Sequence, residues 1–202
     1  MPKDKKTLSL KAVFSILSLA ALAFALTGCP PPAPPSPACV DFEAPLAVGT
    51  QYGTPVGQAP GTAIFTSKGI KVSIQPFVFT GGGGTFNSAR IETPPAPFGS
   101  GQTIRTNNLN LEFDFTAIGY PTSQVTFDYL DQGGSENISV NGSPIFAGDL
   151  PGTPNPIGGV TFAISAVPAA GGTSGTVTLT GVVKTLRIGG QEFWIDNVCA
   201  KK

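Results

Sequence analysis

Apolar and polar residues alternate with period two along most of this chain. Leu109, Leu111, Phe113 and Phe115 are interleaved with Asn110, Glu112, Asp114 and Thr116, and Val125, Phe127 and Tyr129 with Thr126 and Asp128. Val160, Phe162 and Ile164 alternate with Thr161, Ala163 and Ser165, Val177 and Leu179 with three threonines, and Ile70, Val72 and Ile74 with Lys71 and Ser73. This is the spacing of a strand with one face on a core and the other in water. No window sustains the 3.6-residue period of a helix. Turn formers separate the runs: Gly81 to Gly84, Pro94-Pro95, Gly119-Tyr120-Pro121, Asp131 to Gly134, Asn141-Gly142, Pro151 to Pro156, Gly171-Gly172 and Gly189-Gly190. The pattern predicts strands near 39–44, 62–66, 69–75, 88–92, 102–106, 109–116, 123–130, 136–140, 144–149, 159–166, 175–183, 184–189 and 191–199, with Asn141-Gly142 at a hairpin tip. Many short strands between Gly/Pro turns predict an all-β fold, an antiparallel β-sandwich of jelly-roll type.

The first 38 residues follow a different pattern. Lys3, Lys5, Lys6 and Lys11 precede an apolar run, Ala12 to Leu26, that is short for a bilayer span. The run ends in Leu26-Thr27-Gly28-Cys29. This tetrad resembles the lipobox of bacterial lipoproteins. The resemblance implies a signal peptide over 1–28 and a diacylglyceryl group on the Cys29 thiol, with the membrane as partner through that anchor. Two or three acyl chains hold stably, at about 0.8 kcal/mol per buried CH₂. Residue Pro30 is not the aspartate that retains such lipoproteins at the inner membrane, which favours the outer membrane. Pro30 to Ala38 holds six prolines in nine residues. Such a stretch favours polyproline II and predicts a lipidated linker over 29–38, a semi-rigid stalk of roughly 28 Å. The folded domain then spans 39–202, long enough for one core.

Composition narrows the chemistry. The chain has no histidine, which excludes a Ser-His-Asp triad and every His-containing metal site. Without its first eleven residues it carries 8 basic against 11 acidic groups, so no nucleic-acid partner is expected. Cys39 and Cys199 lie at the two ends of the domain. In an exported protein they predict a disulfide joining the first and last strands, closing a loop worth roughly 5 kcal/mol in the chain-entropy account; the alternative is two buried thiols.

Two regions carry candidate chemistry. In the last strand Phe193 and Ile195 read as inward, which sends Trp194 to the face of Glu192 and Asp196. Val198 and Cys199 break that parity, and a bulge near Asp196-Asn197 would restore it. Trp194 is then either a stacking platform for a sugar ring or a side chain packed under a loop or in the core. In the first strand Val40 and Phe42 read as inward and Asp41 and Glu43 as outward, so the disulfide would bring Asp41 and Glu43 near Asp196 and Asn197. An acidic first strand beside an aromatic-Ile-Asp-Asn strand is similar to the carbohydrate-binding jelly rolls with a galactose-binding-like fold. The resemblance implies Glu43 and Asp196 as ligands of a structural Ca²⁺, an oxygen-ligand site; no other cofactor is expected. A solvated polar edge is the plain alternative. The second region is Asp128, Asp131, Glu136 and Asn137, read either as a polar hairpin loop or as a rim where Asp131, Glu136, Asn137 and Tyr129 hydrogen-bond sugar hydroxyls.

The expected function is a cell-envelope lipoprotein with a non-catalytic glycan-binding sandwich, its partner a polysaccharide or envelope glycan. The alternative is a structural or adhesive surface lipoprotein that binds a protein. A third reading is a glycosidase-like hydrolase drawing two carboxylates from Glu112, Asp114, Asp128 and Glu136, although their spacing selects no pair.

Overall fold

The computed structural model describes residues 35–96, 98 and 101–202. The expected signal peptide, the lipobox with Cys29 and the start of the proline stalk lie outside the described residues. From Pro35 to Lys202 the chain forms one compact unit. Its strands are β1 (Ala38–Val40), β2 (Gln51–Gly53), β3 (Ala63–Ser67), β4 (Ile70–Val78), β5 (Gly84–Thr85), β6 (Ser88–Glu92), β7 (Thr103–Asn107), β8 (Leu109–Asp114), β9 (Gln124–Asp131), β10 (Glu136–Val140), β11 (Phe146–Gly148), β12 (Thr161–Ala169), β13 (Gly172–Thr180), β14 (Thr185–Gly190) and β15 (Phe193–Lys201). Among the described residues the helices are two short 3₁₀ turns, and none is long and apolar enough to cross a membrane.

The strands form two antiparallel sheets packed face to face, the expected all-β sandwich. The first sheet runs β12-β13-β9-β15-β7-β6-β2, with β1 paired to the end of β15. The second runs β11-β10-β14-β8-β4-β3, with β5 beside β4. The connections β7 to β8, β8 to β9, β9 to β10, β13 to β14 and β14 to β15 each change sheet, a winding of jelly-roll type.

Alternation explains the core. On the first sheet Ile91, Ile104, Ile195 and Tyr129 stand opposite one another across four strands. On the second, Ile138, Ile188, Leu111 and Ile74 do the same, and beside them Val140, Leu186, Phe113 and Val72. All are essentially without solvent exposure and belong to one cluster between the sheets. Truncating a side chain of this kind, such as Phe113→Ala, costs about 3–5 kcal/mol.

The differences from the expected strands have local causes. β1 stops at Val40, short of the expected 44, because Phe42 turns to φ 56° to put its ring into the core. β2 contributes one inward residue, Tyr52, too little for a period to register. β5 lies at the end of the Gly81–Gly84 turn, where Val78 and Gly84 pair. The hairpin tip at Asn141-Gly142 forms as expected, with φ 53° and 74°, the left-handed pair that Asn-Gly adopts most readily.

Candidate functional site

The termini meet as the cysteine spacing suggested. Cys39 and Cys199 are directly opposed on β1 and β15 and joined by a disulfide. The pairing of β15 with β9 shifts between Asp196 and Cys199, and Asn197 takes φ 49°, so the expected bulge is present. It lets Phe193, Ile195 and Val198 all face the core.

Trp194 lies on the opposite, outer face of the first sheet, but it is not an open platform. It is 4% exposed and packs with Leu130 beneath Phe98 of the 93–102 connection. The guanidinium of Arg105 lies over the ring at 4.8 Å from its centroid. The packed-under-a-loop reading is therefore the observed one. The hydrophobic area of the ring is covered, and its face is used for a cation–π contact.

Glu43 and Asp196, the expected calcium pair, each accept hydrogen bonds from nearby donors. Gln102 donates to Glu43 through its backbone N–H (2.7 Å) and its amide (3.3 Å). Asp196 accepts the backbone N–H of Asn197 at 2.7 Å. Among the described residues no group of three or more acidic or cysteine side chains gathers as a ligand set. Asp196 is nonetheless buried, and burial pushes its pKa up to about 7, with the charges of Asp128, Glu43 and Asp41 adding to the shift.

The second expected site proves to be interior. Core-facing parity on β9 runs through Val125, Phe127, Tyr129 and Asp131, and on β10 through Glu136, Ile138 and Val140. Asp131 and Glu136 thus meet between the sheets at one end of the sandwich. Glu136 has no solvent exposure; one carboxyl oxygen accepts the N–H of Leu150 at 3.2 Å and the other lacks a donor. Burial, then the charge of Asp131, pushes its pKa up to about 8. Asp131, which accepts the N–H of Gly133 at 2.8 Å, is also raised by burial. Tyr129 is a core residue stacked on Phe193, with ring centroids 5.8 Å apart and its hydroxyl unpartnered. Asn137 points the other way. Its amide holds both the N–H (2.7 Å) and the C=O (2.8 Å) of Val78 and accepts from Asn110 at 3.1 Å. Gly189 stands between these two asparagines, where a Cβ would lie 2.7 Å from Asn110 Oδ1. Trp194, Tyr129, Glu136 and Asn137 are therefore each enclosed by their neighbours, and Asp131 is half-buried.

Glu112, Asp114 and Asp128 are also engaged. Arg187 grips Glu112 at 2.6 and 3.1 Å. Asp114 caps Thr116, and Asp128 accepts from Thr176 (2.6 Å) and Asn197 (3.0 Å).

An open polar cleft occurs elsewhere. One row crosses the whole outer face of the first sheet: Gln51, Arg90, Arg105, Trp194, Leu130, Ser174 and Val167 stand opposite one another on seven strands. Phe98 covers its middle. Its β2-β6-β7 end is open, a cleft of about 200 Å³ lined by Gln51, Ser88, Arg90, Glu92, Arg105 and Asn107. Arg105 contacts Glu192 at 3.2 Å, whereas Arg90 stands 3.9 Å from Glu92, beyond hydrogen-bond range. Asn107 accepts from Asn108 through its Oδ1, which leaves its N–H₂ group free to donate. Sequence reasoning missed this cleft. Its one signal was the outward alternation Ser88-Arg90-Glu92 and Arg105-Asn107, holding two of the chain's three arginines. In comparisons with known proteins, no family model, no curated sequence and no solved structure matches this chain.

Proposed function

We propose that this protein is a cell-envelope lipoprotein, held to the membrane through Cys29, whose sandwich binds a glycan without catalysis. The open cleft on the outer face of the first sheet is the observation that carries the reading. There, guanidinium, amide and hydroxyl groups from three strands converge on a space suited to a small polar ligand. Directional donors and acceptors on a rigid sheet suit sugar hydroxyls, which present both in fixed directions. The test is a panel of neutral and acidic polysaccharides against the purified chain in detergent. Saturable binding that weakens in Asn107→Ala is expected. No binding by folded, monodisperse protein would remove the reading.

A second reading draws on β12. This nine-residue strand is an edge of the first sheet, and no Asp, Glu, Lys or Arg occurs from Leu150 to Val183. Edges are commonly guarded by charge, and β12 has only Pro168 near its end. That favours a structural or adhesive role in which the strand of a second copy of this chain adds to β12. Sedimentation velocity with and without Val167→Lys tests it: association lost in the variant supports strand addition, and a monomer at every concentration counts against self-pairing.

A further inference from the structure

The Arg90–Arg105 cleft narrows the class of ligand. Arg90 and Arg105 are directly opposed on β6 and β7. Like charges in that position repel and destabilise a sheet unless an opposite charge lies between them. The acidic groups nearby only partly supply it. Glu192 takes Arg105 from the side, its own side chain about half exposed, and Glu92 stays 3.9 Å from Arg90. Arg90 is half exposed with Glu92 as its nearest carboxylate, and among the described residues the buried Nε of Arg105 has no partner. The cleft therefore holds more donors than acceptors. Arg105 is held in place by Trp194, so its position is set before a ligand arrives.

We propose that this cleft binds a carboxylate-bearing sugar, a uronic acid unit of a glycan. The inference rests on the glycan-binding reading and names its substrate class. A planar carboxylate matches the fork of a guanidinium and can bridge two of them. Along the strands, Ser88 and Asn107 lie two residues from the arginines on the same face, roughly 6.7 Å away. Their hydroxyl and amide groups reach the ring hydroxyls of a sugar whose carboxylate sits at the arginines. The volume fits a single ring, being below the roughly 300 Å³ at which drug-sized pockets begin.

The test uses the purified full chain, titrated calorimetrically with oligogalacturonate, with the carboxyl-reduced neutral oligosaccharide and with poly-γ-glutamate. Oligogalacturonate should bind at least tenfold more tightly than either of the others. Arg90→Gln should weaken it about tenfold, and Glu92→Gln, which removes the one carboxylate lining the cleft, should tighten it severalfold. Equal affinity for charged and neutral sugars, with Arg90→Gln silent, would overturn the uronate assignment and leave glycan binding standing. Equal binding of poly-γ-glutamate would mean that the cleft reads a carboxylate alone, which also overturns it. If neither oligosaccharide binds, the uronate assignment falls, and a negative polysaccharide panel removes the glycan reading with it.

Discussion

Glu136 offers the sharpest test of how this sandwich is held together. Its carboxyl is enclosed between the sheets beside Asp131, and its pKa stands at about 8 against an ordinary 4.5. A carboxyl raised in the folded state contributes stability while protonated. That contribution is complete below about pH 4.5 and is lost as pH rises through about 8. Between these values the unfolded chain has released a proton that the folded chain retains, so stability falls by up to about 1.4 kcal/mol per pH unit. From pH 5 to pH 8 the loss is on the order of 3 kcal/mol. Glu136→Gln keeps the shape and removes the titration. The amide oxygen can still accept the Leu150 N–H, and the amide nitrogen can donate to Asp131. The variant should match the wild type to within about 1 kcal/mol at pH 5 and exceed it by roughly 3 kcal/mol at pH 8. Urea unfolding at pH 5, 6, 7 and 8 measures this directly. Asp196 titrates over an overlapping range but is common to both proteins, whereas Asp131 titrates together with Glu136, so the difference reports the Asp131–Glu136 pair. Parallel pH profiles for variant and wild type, or a variant less stable at pH 8, would refute the placement of a protonated Glu136 between the sheets.

Three further outcomes are expected. Cys39→Ser should lower the melting temperature in non-reducing buffer by roughly 10 °C, because about 5 kcal/mol of loop-closure entropy is returned to the unfolded chain; an unchanged value would show that the Cys39–Cys199 bridge adds nothing. EDTA should leave the melting temperature unchanged, since Glu43 and Asp196 are engaged by Gln102 and Asn197; a clear drop, with calcium detected by mass spectrometry, would restore the ion. Cys29→Ala should move the protein from the membrane fraction to the soluble one, and a variant that still sediments with membranes would remove the lipid anchor.

The strands were legible because their information is local. Alternation over four to eight residues identifies a half-buried strand whatever its partner, and broken parity at Val198 was enough to locate a bulge. The site was less legible because its information is in register. Arg90 and Arg105 are fifteen residues apart and Gln51 is farther still, and only the pairing of β2, β6 and β7 brings them into one row. Asp131 and Glu136 misled for a related reason. A charged residue at the end of an alternating run suggests a solvated turn. Yet both continue the inward parity of their own strands, Asp131 after Tyr129 and Glu136 before Ile138, and that parity carries them between the sheets. Following parity through the charged residues would have placed both inside. The rest of the Glu136 environment comes from the far-off Leu150 N–H, which no local pattern announces.

Trp194 shows how the expected chemistry moved rather than vanished. An aromatic ring among polar residues suggested a face for a sugar, but the ring is roofed by Phe98 and its face is taken by Arg105. A long, flexible arginine on an exposed sheet ordinarily loses entropy when it binds, about 0.5–1.5 kcal/mol for each side chain immobilised. Stacked on a buried ring and touched by Glu192, Arg105 has already lost that freedom in the folded protein. In the proposed reading the tryptophan therefore acts one residue removed from the ligand, by fixing the cation that meets it. Arg90 has no such support and is the softer half of the pair. Replacing Trp194 with leucine would then weaken uronate binding through Arg105 while leaving the neighbouring Arg90, Ser88 and Asn107 in place.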